Sequence, residues 1–188
     1  RFCIGNQQQT LIIDMRITTI VTILWFNVKI WINRLFGGKF NLLPYKVLLN
    51  LTNNCNSKCE SCDIWKVKDF SNEMSLHNIL KFFDGMGPSL VWLALSGGEV
   101  TLVKYLESMI IEARKKCKNL KIISFTTNAL LPKKVIWLAE KIIENGFDLI
   151  VTISLDGDKE IHDRVRGVPG NYEKCVALFE DLKKIGVN

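Results

Sequence analysis

The stretch VLLNLTNNCNSKCESC, residues 47–62, joins a short apolar run to a polar loop that carries Cys55, Cys59 and Cys62. The run VLLNL (47–51) reads as a strand of a parallel sheet, where both faces are covered and the apolar pattern is continuous. In parallel α/β barrels the loops that follow strands build the active site, so the cysteine loop stands where chemistry is expected. Thiolates are soft ligands suited to iron–sulfur clusters, and cysteine spacings of four and three residues let one loop wrap one face of a cubane. Three cysteines leave the fourth iron open to the amino and carboxylate groups of a small molecule, which separates a reaction centre from a plain electron carrier.

Downstream, VWLAL (91–95), KIISFT (121–126) and LIVTISL (149–155) repeat the strand pattern. Helical segments are expected over about 75–86, 104–118, 132–145 and 172–185, with Pro132 at a helix start and Gly146 and Gly186 as stops. This alternation is the signature of βα units on a parallel sheet. Gly186, Val187 and Asn188 follow a helix that would ordinarily feed another strand, so the chain reads as truncated before a fifth unit.

Polar groups cluster at the strand ends. Ser96-Gly97-Gly98-Glu99 follows the second strand, where paired glycines permit close backbone approach and a carboxylate can accept from an ammonium group. Thr126, Thr127 and Asn128 end the third strand and Ser154 and Asp156 the fourth, so groups from separate strands converge on one rim.

The ordered set of CxxxCxxC, SGGE, TTN and SLDG resembles the radical S-adenosylmethionine (radical SAM) superfamily from about Tyr45 to the end of the chain. The resemblance implies a partial (β/α)6 TIM-like barrel, an α/β fold present here as its first four βα units, with at least two more to follow. It implies a [4Fe-4S] cluster on Cys55, Cys59 and Cys62, reductive cleavage of S-adenosyl-L-methionine to a 5′-deoxyadenosyl radical, and an electron donor such as a flavodoxin or ferredoxin. Gly97, Gly98 and Glu99 would meet the methionine ammonium, and Thr127, Asn128 and Ser154 the ribose or carboxylate. DGDKEIHDRVRG (156–167) resembles the loop after strand four in the peptide-modifying branch with SPASM-type extensions, with Arg166 as partner of the methionine carboxylate. That branch favours a peptide or cofactor-precursor substrate; a molybdenum-cofactor-type nucleotide cyclase is the alternative within the class. Many members carry an aromatic residue just before the last cluster cysteine, whereas this chain has Ser61, and Trp65 is the nearest substitute.

The 188 residues are 48% hydrophobic and 23% charged, the make-up of a globular chain with a real core. Six cysteines with three gathered in one loop do not form a secreted disulfide framework, so a cytoplasmic protein is expected. Of the net charge of +6, five units fall before Val47, which argues against a nucleic-acid footprint across the folded domain. Residues 1–14 lack a clear period and read as an upstream or non-native leader, with Met15 as the start. Residues 15–44 form an amphipathic helix and linker, and residues 45–188 the core domain. Ile17, Ile20, Val21, Leu24, Val28, Trp31, Ile32 and Leu35 recur at helical spacing. Lys29 and Arg34 interrupt a spanning length, so the helix either docks peripherally at the inner face of a membrane or caps the bottom of the barrel.

A zinc site using the same cysteines with Cys117, Cys175 or Asp63, and a non-catalytic electron-transfer protein, are the competing readings. Cys117 and Cys175 read as buried core thiols, Trp92 and Trp137 as core residues, and His77 and His162 as non-catalytic.

Overall fold

The computed structural model describes residues 9–12, 16–40 and 42–187, and the expected start at Met15 lies outside them. Four parallel strands, β2 (Lys46–Thr52), β3 (Trp92–Gly97), β4 (Ile122–Thr127) and β5 (Asp148–Ile153), lie side by side in chain order. They match the four expected strands. A strand not expected from the sequence, β1 (Gln9–Ile12), pairs antiparallel with β5 at the sheet edge, inside the segment read as a leader.

The helices follow the expected alternation: α2 (Leu76–Met86), α3 (Leu106–Lys116), α4 (Pro132–Glu144) and α6 (Asn171–Lys184). Local signals place their ends. The Ser75 hydroxyl accepts from Asn78 N at 3.3 Å to start α2, and Pro132 opens α4. The segment after β5, read as a loop, instead folds into α5 (Lys159–Arg166), capped by Asp158 accepting from Ile161 N at 3.0 Å. Its two turns are too short and too charged to show an apolar period.

Register puts Val47, Leu93, Ile123 and Leu149 in one row and Leu49, Leu95, Phe125 and Val151 in the next. Both rows, in which only Val47 is partly exposed, pack against Ile79, Phe83, Met109, Ile110, Leu138, Ile142, Leu178 and Leu182 of the helices. The opposite face departs from the expectation of full apolar cover. Ala94, Ser96, Ser124, Thr126 and Thr152 are half-buried there, and Leu48 is exposed. Trp92 also lies on this face, donating from Nε1 to Ser124 Oγ at 2.8 Å, and Trp137 is 38% exposed, so neither is the core residue the sequence suggested. Cys117 and Cys175 are buried as expected.

The amphipathic helix, α1 (Ile17–Leu35), crosses the N-terminal ends of the strands. Thr19 Oγ1 donates to Asp148 Oδ2 at 2.5 Å, Arg16 Nε lies 3.2 Å from Asp148 Oδ1, and the Phe26 and Tyr45 rings are 5.6 Å apart. The helix therefore caps the bottom of the sheet, but with its narrower side. Thr19 is its only buried residue, while Ile17, Trp31 and Leu35 are exposed.

Candidate active site

At the opposite, C-terminal ends of the strands, the loops after β2, β3, β4 and β5 enclose a cavity of about 160 Å³. Cys55, Cys59, Cys62, Gly97, Gly98, Thr127, Asn128, Ser154 and Arg166 all line it, which is every expected site residue except Glu99. Parallel strands bring this about, because all their C-terminal ends, and hence all their following loops, lie on one side.

The cysteine loop is held by backbone contacts that the glycines make possible. Gly98 N donates to Thr52 O at 2.7 Å and Glu99 N to Asn54 O at 2.9 Å. A Cβ on Gly98 would stand 2.1 Å from Asn54 O, and one on Gly97, at φ +133°, 2.3 Å from Thr52 O. The close approach that the paired glycines permit is thus first an approach to the chain's own cysteine loop. On its other side the loop is joined to the end of α5: Lys58 N donates to Arg166 O at 3.2 Å, Glu60 N to Val165 O at 2.8 Å, and the buried Ser57 hydroxyl to Arg166 O at 3.0 Å.

Glu99 is 1% exposed and sits beneath the cavity. Its Oε1 accepts from Thr101 N (3.3 Å), Thr101 Oγ1 (2.7 Å) and Thr127 Oγ1 (3.0 Å), and its Oε2 from Asn128 N (2.9 Å). Each carboxylate oxygen offers about two acceptor positions; Oε1 is more than filled by its three donors, whereas Oε2, with one, keeps a position for a further donor. The charge of Glu99 thereby fastens the end of β4 to the turn after β3. Asn128, so held, donates from Nδ2 to Asn56 Oδ1 at 2.8 Å and to Cys55 Sγ at 3.7 Å.

Two further polar contacts reach the cluster-loop sulfurs. Ser57 Oγ lies 3.2 Å from Cys59 Sγ, and Arg166 Nη1 donates to the same sulfur at 3.6 Å. Burial pushes the Cys55 thiol above its ordinary pKa, so in the metal-free protein it is held protonated. Soft thiols on one loop, with N–H donors and a guanidinium facing the sulfurs, form a donor set that fits a [4Fe-4S] cluster. A zinc ion fits less well. Among the described residues no three His, Cys, Asp or Glu gather closely enough for a single metal ion. The additional ligands considered for it are also elsewhere: Cys117 and Cys175 are buried in the core, their thiols pushed by burial up to about 11 and about 12, and Asp63 is an exposed partner of Lys66 at 2.6 Å.

Arg166 is clamped by Asp156, with Nη2 donating to Oδ1 at 3.0 Å and Nε to Oδ2 at 2.5 Å. Asp156 N in turn donates to His162 Nδ1 at 3.2 Å, which leaves Nε2–H to donate to Asn171 Oδ1 at 3.3 Å. Asn171 Nδ2 then donates to Asn128 O at 2.9 Å, so a polar chain runs from Arg166 to the end of β4. His162 is fully buried, and burial first and the Arg166 charge second hold its pKa below the ordinary imidazole value. It is a neutral pin of the loop. Asp156 as a clamp and Asn171 as a bridge were not expected, because both roles depend on residues far apart in the chain.

Near the cysteines, Ser61 and Ile64 face the cavity. Trp65 does not line it; its Nε1 donates to Cys59 O at 3.2 Å and steadies the loop. Thr126, which strand alternation puts on the open face of the sheet, does line it.

A family model described as the Radical SAM superfamily matches residues 49–188. Pre-heme d1 synthase of Dinoroseobacter shibae is 32% identical over 146 residues, covering 75% of this chain and 34% of the relative. Fe-coproporphyrin III synthase of Methanosarcina barkeri is 29% identical over 75% of this chain and 34% of its own length. The sporulation killing factor maturation protein SkfB of Bacillus subtilis is 24% identical over 80% and 36%. The chain thus spans about a third of the length of these curated relatives. Among solved structures, native anSMEcpe with bound AdoMet and the Kp18Cys peptide superposes with a TM-score of 0.60 at 29% identity, over 76% of this chain and 41% of that one. With a matching family model, a matching fold and the cysteine loop at the shared rim, the chain belongs to the radical SAM superfamily.

Proposed function

We propose that this chain is the cluster- and cofactor-binding part of an enzyme that cleaves S-adenosyl-L-methionine reductively. The observation that carries the reading is the convergence of the three loop cysteines with Gly97, Gly98, Thr127, Asn128, Ser154 and Arg166 on one cavity. Cys55, Cys59 and Cys62 would hold a [4Fe-4S] cluster, which supplies one electron to break a carbon–sulfur bond of the cofactor and yield methionine and a 5′-deoxyadenosyl radical. The residues of this chain provide the setting. Arg166 places positive charge beside Cys59, the remaining acceptor position of Glu99 suits an ammonium group, and Asn128 and Ser154 offer polar groups from two strand ends. A flavodoxin- or ferredoxin-type donor would supply the electron.

The substrate of the whole protein is proposed to be a peptide or a cofactor precursor. Its relatives include proteins named as two haem-type synthases and a maturation protein, and a solved neighbour holds a peptide. Anaerobic iron–sulfide reconstitution followed by dithionite reduction tests the reading. The iron-loaded protein is expected to release 5′-deoxyadenosine from S-adenosyl-L-methionine, and Cys59→Ala to lose both cluster and product. Iron loading with no deoxyadenosine would instead favour an electron-transfer protein.

A further inference from the structure

Helix α1 is the element that the site does not use, and most of its wide face has no cover among the described residues; only Val21 and Trp25, toward one border, line a groove with Leu42 and Leu43. At 3.6 residues per turn, Ile17, Ile20, Val21, Leu24, Trp25, Val28, Trp31, Ile32 and Leu35 fall within an arc of about 140°. All nine are exposed, from 38% at Ile32 to 80% at Ile17. The opposite side, with Thr19, Phe26 and Ile30, meets the bottom of the sheet. So large a continuous apolar patch marks an interaction surface.

The charges decide what kind of surface. Lys29 and Arg34 sit about 40° beyond the two borders of the apolar arc, one on each side. Long basic side chains at those borders can reach the headgroups while the arc enters the acyl boundary. No Asp or Glu occurs between Arg16 and Val47. Among the described residues Lys29, Arg34 and Lys39 have no acidic partner. Trp25 and Trp31 stand near the two borders, where indoles favour the interface. No helix of the described chain is long and apolar enough to cross a membrane.

We infer that α1 lies in the surface of an anionic bilayer, its apolar arc inserted and Lys29 and Arg34 on the headgroups, with the cysteine loop facing away. The parallel strands fix this orientation: α1 crosses their N-terminal ends and the cavity lies at their C-terminal ends, about 20 Å away for strands of six residues. Electrostatics and insertion both contribute, so binding depends on lipid charge and on salt. The inference does not depend on the chemistry proposed for the cavity.

Co-sedimentation of the whole protein with phosphatidylcholine vesicles, with and without phosphatidylglycerol, tests it. Binding is expected on the anionic vesicles, weakened by salt. At about 1 kcal/mol per surface cation, or roughly 5-fold, Lys29→Gln with Arg34→Gln should weaken binding about 30-fold. Leu24→Glu with Val28→Glu should abolish it, with iron loading unchanged as the control for folding. In the unaltered protein, brominated phosphatidylglycerol should quench tryptophan fluorescence, a readout that needs no variant. Absence of sedimentation and quenching on anionic vesicles overturns the inference, as does undiminished binding of Leu24→Glu/Val28→Glu. A dimer that this variant dissolves, in a protein that ignores vesicles, would assign the face to a second copy.

Discussion

At the C-terminal ends of β2 to β5, one buried carboxylate, Glu99, accepts four hydrogen bonds and two glycines admit a neighbouring backbone. At the N-terminal ends, a helix of 19 residues is seated with a single buried residue and the Asp148 carboxylate. The cavity end is closely interlocked, and each loop there is positioned by another loop. The α1 end touches the sheet narrowly and offers most of its apolar surface outward. A site that must hold soft ligands and a charged cofactor in register needs preorganised groups. A helix that docks on a bilayer, as proposed for α1, would need an accessible face more than a tight fit.

The largest expected effect follows from this interlocking. Gly98→Ala puts a methyl group against Asn54 O, a backbone atom that cannot move without the cysteine loop. A cost of about 3 kcal/mol or more and loss of iron loading are expected from denaturation curves and iron analysis. A stable, fully iron-loaded alanine variant would break the contrast between the two ends. Glu99→Gln comes next. It keeps the shape but sets an amide N–H2 among donors, at a cost of about 2–3 kcal/mol, read in chemical denaturation.

Asp148→Asn probes the other end. Weakening the contacts with Thr19 and Arg16 is expected to cost about 1–2 kcal/mol and to speed hydrogen exchange in α1, while iron loading stays at the parent level. If iron loading fell as well, the two ends would be coupled through the sheet.

The smallest effect is a pH dependence. The folded pKa of His162 is depressed, so between that value and the ordinary imidazole range the unfolded chain binds more protons than the folded one. Its contribution to stability is therefore present above about pH 6.5 and is lost as pH falls through the depressed pKa. His162→Gln should flatten this part of the stability-against-pH curve. An unchanged curve would show that another group sets it.

The cysteine loop, the four parallel strands and the boundaries of α2, α4 and α6 were legible because their signals are local: spacing, continuous apolar runs, and Ser75, Pro132 and Gly146 at the ends. Short α5 was hidden by its charge, and β1 by the absence of alternation. The expectation that both sheet faces are covered failed on the inner side, where Ser124 and Thr126 occupy alternate positions. The SGGE string marks Glu99 as a ligand for an ammonium group, yet two of its four donors, Thr127 and Asn128, lie 28 and 29 residues away. No sequence pattern shows such a bond.

For α1 the sequence showed an amphipathic helix with two possible roles, capping the sheet or docking elsewhere, and treated them as alternatives. The structure shows the capping side, which bonds to Asp148, and leaves the wide arc pointing outward, so that capping the sheet does not use up the apolar face. By itself, then, the sequence determined the donor atoms, the strands that carry them and the helix periods, all of which depend on residues within a few positions of one another. Only the tertiary structure decided which glycine meets which carbonyl, which charge clamps Arg166 and which way the apolar arc faces. Those outcomes depend on how distant segments meet, and sequence spacing carries no record of that.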